Sequence, residues 1–247
     1  MQHIENLGNA PQPHAQTDHV PETRFGVWFL NTETWAIHVL KRAVDDLQRM
    51  IGPNAGFPVI VDVGCGWGRS FVLLKERFAP RTLIGIDVST EMLKSAQTEA
   101  GKHGIDVDLR QANSAKLPLP SESVDMVFCH QTFHHLVDQD SALSEFHRVL
   151  KPGGVLLFAE STKKYIHSWI IRLLFRHPMD VQKTAEEYLA MIRVAGFEVE
   201  PRAVSYPYLW WSRGDLGILE RVFRIRPSPK HEETLINVVA RRPAVAA

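Results

Sequence analysis

The sequence predicts an α/β fold, a largely parallel sheet covered by helices on both faces, and three observations carry that prediction. Short apolar, β-branched runs without alternation recur along the chain, as strands buried on both faces require. Between them lie segments with apolar residues at three- and four-residue spacing, the period of an amphipathic helix. The two kinds alternate, and a parallel crossover needs a helix and takes one hand. With 247 residues the chain is long enough to bury a sizeable single core.

The elements follow in order. Residues 1–22 are rich in Gln, Asn, His and Pro, hold no apolar segment of the signal-peptide kind, and read as a mobile tail in which His3, His14 and His19 are solvated. Ala36, Leu40, Ala43, Val44, Leu47 and Met50 make one face of a helix over 32–51, stopped by Gly52 and Pro53. Pro58 to Val63 is the first strand. Phe71, Leu74 and Phe78 mark a helix ended by Pro80, and LIGID (83–87) is the second strand. Ser89 caps the next helix, with Glu91 suited to its dipole and Leu93, Ala96 and Ala100 inward, until Gly104; Ile105, Val107 and Leu109 then alternate as a strand. VDMVFC (124–129) is a strand, Ser141 to Leu150 a helix, KPGG (151–154) a turn and VLLFAE (155–160) the next strand. Thr184 and Glu187 form a capping box for a helix ending at Gly196, FEVE follows it, and TLINVVARR (234–242) is the last strand. Residues 23–247 read as one domain: a core over 55–160, an insertion over 161–183 and a C-terminal sheet part over 184–247.

Composition excludes some functions. Twenty-eight basic residues balance twenty-eight acidic ones, so no net field gathers nucleic acid. Cys65 and Cys129 form neither a disulfide framework nor a zinc spacing, so no metal site is expected, and a reducing cytoplasm fits them best. No run of eighteen apolar residues suggests a membrane span.

The stretch VIVDVGCGWGRS (59–70) carries Gly64, Gly66 and Gly68 at the carboxyl end of the first strand, the sheet edge where ligands bind in such folds. Glycine there supplies positive φ or close packing, and the amides opening the next helix point into the gap. A dinucleotide fingerprint needs its third glycine at position 69, which is Arg69, and this disfavours a nicotinamide-dependent dehydrogenase. The pattern is instead an acidic residue, Asp62, followed by G-x-G-x-G. This segment resembles the first motif of class I S-adenosylmethionine-dependent methyltransferases. GID ending in Asp87, ANSAKLPLP (112–120), SVDMVFCHQTFHHL and RVLKPGGVLLFAE are similar to that family's further motifs, in order, over roughly residues 55–160.

The resemblance implies a Rossmann-like, doubly wound, mostly parallel seven-stranded sheet with its last strand antiparallel, an N-terminal helical segment and a lid inserted after the fifth strand. It implies methyl transfer from S-adenosylmethionine to a small acceptor; binding of the cofactor without transfer is the alternative. Asp87 is expected to accept both ribose hydroxyls, and Gly64, Cys65 and Gly66 to lie along the methionine part. Asp62 orients this loop or meets the ammonium group. A helix N-terminus lowers a thiol pKa, but methyl transfer needs no thiolate, so Cys65 is read as packing. Asn113 and Ser114 meet the adenine amine. Val88 and Met92 sandwich the ring or simply pack the core. His130 lies near the sulfonium, and His134 and His135 face the acceptor, where a histidine takes a proton only if the acceptor has one to lose.

Acceptor choice is expected in the variable segments. FGVWFLNTETW (25–35) either closes over the cofactor or staples its helix to the sheet. Residues 163–178 place Tyr165, Ile166, Trp169, Ile170, Leu173 and Leu174 on one helical face beside Lys163, Lys164, Arg172 and Arg176. That is a lid over a largely apolar or lipid-like acceptor, or a helix lying on an anionic membrane surface. YPYLWW (206–211) completes the pocket. The residues CHQTF after the fourth strand differ from the signature of nucleic-acid amino methylation, and quinones, polyketides and sterols remain as O-, C- or N-acceptors.

Overall fold

The computed structural model describes residues 23–52, 56–207, 209, 222–224 and 233–244. The expected tail, and Tyr208, Trp210 and Trp211 of the pocket segment, lie outside them. Seven strands form one sheet in the order β3-β2-β1-β4-β5-β7-β6. They are β1 (Val59–Val63), β2 (Thr82–Asp87), β3 (Asp108–Gln111), β4 (Val124–His130), β5 (Leu150–Ser161), β6 (Val204–Ser205) and β7 (Leu235–Arg241). Strands β1 to β5 are parallel, and β7 runs antiparallel to both β5 and β6. The doubly wound sheet expected from the sequence is therefore present. Strand order reverses between β1 and β4, and their carboxyl ends diverge to open a crevice.

Helices cover both faces because every central strand carries apolar side chains on both. On one side α3 (Arg42–Ile51), α4 (Phe71–Phe78) and α5 (Thr90–Lys102) bury Leu47, Phe71, Leu74 and Ala96 against Ile60 and Met126. On the other, α6 (Gln139–Val149) and α9 (Ala185–Val194) bury Phe146, Tyr188 and Ile192 against Val127 and Phe158. The capping box of Thr184 and Glu187 opens α9 as the sequence indicated. Asp46 of α3 ties this layer to the sheet edge: Asn237 Nδ2 of β7 donates to it at 3.0 Å, and Ser205 Oγ of β6 donates as well.

Several boundaries differ from expectation for identifiable reasons. The third strand begins at Asp108, because Gly104, at φ +62°, ends α5 in a motif where Ile105 N–H returns to Ala100 O, and residues 105–107 are needed to leave the helix. KPGG lies inside β5 as a bulge: Val124 pairs with Leu150, yet Met126 pairs with Val155. FEVE makes only an isolated bridge, Glu198 to Arg241. The expected helix over 32–51 starts after α1 (Arg24–Leu30) as α2 (Glu33–Trp35), passes through a π-helical stretch Ala36–Lys41, and continues as α3. The wider π turn brings Trp35, Val39 and Leu40 onto one side, toward the crevice.

The single helix expected over 163–178 is divided into α7 (Lys163–Ile166) and α8 (Trp169–Leu174), with Ser168 extended between them. This changes the inward face. Ile166 and Ile171 are buried, while Trp169 and Leu173, expected inside, are 64% and 71% exposed. Among the described residues, no helix is long and apolar enough to cross a membrane.

Candidate functional site

The three glycines at the end of β1 serve three different neighbours, although all have positive φ: +74° at Gly64, +51° at Gly66 and +75° at Gly68. A Cβ on Gly64 would stand 2.1 Å from Thr132 Cγ2, so this glycine admits the loop leaving β4. At Gly68 a Cβ would meet Phe71 Cε2 at 2.5 Å and the Ala96 backbone at 3.1 Å, which makes it the helix-packing glycine. At Gly66 a Cβ would meet only Met92 Sδ, at 3.9 Å; its main chain borders open space. Of the three, Gly66 is the one that leaves room for a ligand.

Asp87, the last residue of β2, faces that space. Its Oδ2 accepts from Gly66 N and its Oδ1 from Ser89 N, each at 2.9 Å. A carboxylate has about four acceptor positions, so each oxygen retains one for a ligand hydroxyl. Val88, Met92, Asn113 and Ser114 line the same cavity. Asn113 Oδ1 accepts from Ala115 N at 2.9 Å, which sets the amide plane.

Asp62 and Cys65 sit beneath the loop. Asp62 is 2% exposed and accepts a hydrogen bond from Ser70 Oγ. Burial pushes its pKa up to about 7; the nearby Asp87 adds to this, against the Ser70 bond. Burial, with Asp62 and Asp87 close by, also raises the Cys65 thiol far above its usual range. The lowering expected from the helix N-terminus is overridden, and Cys65 is a packing residue. The Asp62 shift has a sign that can be tested. Between about pH 4 and 7 the native state holds a proton that the unfolded chain has lost, so this group's contribution to stability declines as pH rises through that window. Urea titrations from pH 5 to 8 are expected to show wild type losing stability relative to Asp62→Asn. A pH-independent difference would overturn the assignment.

Beyond the glycine loop, β4 ends at His130 and the chain turns at Gln131, whose φ of +51° is unusual for a side-chain-bearing residue. Ser161 Oγ donates to Gln131 Oε1 at 2.6 Å and holds the turn. His130 is 8% exposed, its ring 5.5 Å from that of Trp35, and its Nε2 has no hydrogen-bond partner among the described residues. Burial and the neighbouring His134 bring its pKa down to about 3, so the ring is neutral.

The loop 131–135 is anchored by Glu160, a residue that the sequence reading left inside β5. Glu160 is fully buried; its Oε1 accepts from Thr132 N and Phe133 N at 2.9 and 2.8 Å, and its Oε2 lies 2.6 Å from His134 Nδ1. With Nδ1 so engaged, Nε2 is the nitrogen of His134 left to act. A carboxylate closing an otherwise apolar buried strand was the signal for it. His177, beyond α8, was also missed: its ring centroid lies 5.2 Å from that of His134 and 4.9 Å from that of His135.

The cavity joins all of these. Its lining also includes Phe29 and Leu30 of α1, Trp35, and Tyr165, Ile171 and Phe175 of the segment 163–178. Thr23 Oγ1 donates to Leu174 O at 2.5 Å, linking the two segments, and Arg69 Nη2 donates to Asn31 O and Oδ1 at 3.0 and 2.9 Å, tying α1 to the glycine loop. Three residues of the N-terminal segment, Phe29, Leu30 and Trp35, thus contribute to the cavity wall. Leu209, from the described part of 206–211, also lines it.

Residues 61–158 match the model of a family described as a methyltransferase domain. Over 155 residues the chain is 34% identical to a ubiquinone biosynthesis O-methyltransferase of Pseudomonas entomophila, covering 57% of this chain and 65% of that one. It is 32% identical to a demethylmenaquinone methyltransferase of Deinococcus radiodurans over 120 residues, 48% of this chain and 50% of that one. The chain spans about half to two thirds of the length of these curated relatives. Among solved structures, an S-adenosylmethionine-dependent methyltransferase from Aquifex aeolicus superposes with a TM-score of 0.64 at 21% identity, covering 88% of this chain and 97% of that one.

Proposed function

We propose that this chain, whose core belongs to the class I S-adenosylmethionine-dependent methyltransferase superfamily, transfers a methyl group to a small, largely apolar or lipid-like organic acceptor. The observation that carries this reading is Asp87, each oxygen aimed by a main-chain amide and each keeping a lone pair for the ribose, beside the open main chain of Gly66. The residues present fit S-adenosylmethionine. Val88 and Met92 would flank the adenine, Asn113 and Ser114 would meet its amine, and the main chain of Gly64, Cys65 and Gly66 would hold the methionine part near Asp62. A neutral His130 adds no positive charge beside a cationic sulfur.

When bound, the cofactor supplies a methyl carbon on positively charged sulfur, open to in-line attack by an acceptor lone pair. This chain's own work is then to position the acceptor, exclude water and accept a proton. The apolar wall of Phe29, Tyr165, Ile171 and Phe175 serves the first two tasks and supports an apolar acceptor. His134, held by Glu160 at Nδ1, takes the proton of an acceptor hydroxyl at Nε2, with His135 beside it. Two of the relatives, a ubiquinone biosynthesis O-methyltransferase and a demethylmenaquinone methyltransferase, support a quinone-related acceptor. The exposed Trp169 and Leu173, with Lys163, Lys164, Arg172 and Arg176 near them, fit contact with an anionic membrane from which a lipid-like acceptor is drawn.

Calorimetry with S-adenosylhomocysteine tests the cofactor half. Hydrogen bonds to a charged acceptor contribute about 1.5–3 kcal/mol each, so Asp87→Ala is expected to weaken binding at least tenfold relative to wild type. Absence of any heat with wild type at millimolar ligand would refute the reading. Transfer of label from the cofactor's methyl group to hydroquinone and phenol acceptors tests the other half.

A further inference from the structure

We propose that His134, His135 and His177 form a binding site for a divalent transition cation, zinc in the first instance, with one coordination position open to the acceptor cavity. One ligating nitrogen from each imidazole falls within a group whose members all lie within 4.8 Å of one another. Tetrahedral zinc with Zn–N bonds of about 2.0–2.1 Å needs nitrogens roughly 3.3 Å apart, so closure asks for movements of roughly 1.5 Å or less. The three rings are already gathered, with centroids 4.2, 4.9 and 5.2 Å apart.

Two features separate this cluster from histidines that merely pack. The Glu160 carboxylate lies 2.6 Å behind His134 Nδ1, the carboxylate–histidine arrangement that orients a ligating imidazole. All three residues also line the cavity, so a fourth ligand, water or an acceptor oxygen, has access. Three imidazole nitrogen donors with one open position suit zinc and its neighbours in the first transition row rather than magnesium or calcium, which take oxygen ligands. The sequence could not announce this site. His134 and His135 are adjacent, which is not a zinc-finger spacing, and His177 is brought to them only by the segment 163–178. The inference does not depend on methyl transfer, and it is an alternative to proton transfer at the same atom: with Nδ1 held by Glu160, a cation on His134 occupies Nε2, the nitrogen that takes an acceptor's proton in the metal-free protein. The cation's binding is read directly.

The test is titration of the metal-stripped full-length protein with cobalt(II) chloride, followed by its visible absorption, and with zinc(II) chloride by calorimetry. Wild type is expected to bind one equivalent of each, and zinc to raise its melting temperature. His177→Ala and His135→Ala are each expected to weaken binding at least tenfold, Glu160→Gln by about 10–100-fold. His177→Cys, which substitutes another zinc ligand, is expected to retain binding. Circular dichroism and melting of the apo variants check that each is folded. No saturable cobalt uptake by wild type would overturn the proposal. So would uptake by folded His177→Ala and His135→Ala equal to wild type, since the metal would then be held elsewhere, as by His3, His14 and His19 of the N-terminal segment.

Discussion

Glu160→Gln is expected to lower turnover of a hydroxyl acceptor by about 10²–10⁴-fold while leaving the affinity for S-adenosylhomocysteine within about twofold of wild type. The substitution is close to isosteric. The glutamine carbonyl oxygen still accepts from Thr132 N and Phe133 N, so the loop 131–135 keeps its anchor. What changes is the atom facing His134 Nδ1, which becomes an amide donor. The imidazole must then accept at Nδ1 and carry its proton at Nε2, the position from which the acceptor's proton should be removed. An acceptor that is already ionised has no proton to surrender and should be largely spared. That contrast, together with cofactor affinity measured by calorimetry, separates a positioning role from a structural one. Equal losses for both kinds of acceptor, or turnover and cofactor affinity falling in step, would refute the role assigned to Glu160.

Gly64→Ala should produce the largest loss of stability among substitutions in the glycine loop. The new Cβ would lie 2.1 Å from Thr132 Cγ2 and 2.3 Å from its Oγ1, in a backbone with φ of +74°. A left-handed conformation costs an alanine about 1–2 kcal/mol, and overpacking typically costs about 1–3 more. For a chain of this size the sum corresponds to a fall of about 5–15 °C in melting temperature. Removing the Thr132 side chain as well, in Gly64→Ala/Thr132→Gly, should return the steric part and leave the conformational part. Gly66→Ala is the contrasting case: with Met92 Sδ at 3.9 Å as its nearest neighbour, its effect should fall mainly on cofactor affinity. Thermal melts and calorimetry on the three proteins decide this. A Gly64→Ala protein melting within about 2 °C of wild type would show that Thr132 yields freely.

These two residues also illustrate how far the sequence could be read. The glycine pattern located the loop, and its spacing was enough to set aside a dinucleotide fingerprint. It carried no information about which glycine served a ligand and which served packing, because Thr132 is 68 residues from Gly64 and Phe71 and Ala96 belong to different helices. Asp87 was legible because its role follows from its place at the end of a strand beside that loop. Glu160 was not, since a carboxylate at the end of VLLFAE has no stated partner until β4 and β5 are paired and Ala159 lies beside His130. The segment 163–178 is the clearest departure. The spacing in 163–178 permits a continuous helix, and only the packing of Ile166 and Ile171 selects the break at Ser168 and turns Trp169 outward.

Local signals in the chain specified the alternation of strands and helices, the caps at Ser89 and Thr184, the glycine turn and the carboxylate that ends β2. Each of these is written in signals that act over about ten residues: side-chain periodicity, hydrogen bonds from a cap to the next turn, and backbone conformations open to glycine. Long-range packing set the pairing of Glu160 with His134, the approach of His177, and the cavity wall that α1 and the segment 163–178 share. Those depend on contacts between residues far apart in the chain. Local propensity does not encode such distances; they are set when buried side chains from separate elements fill one common volume.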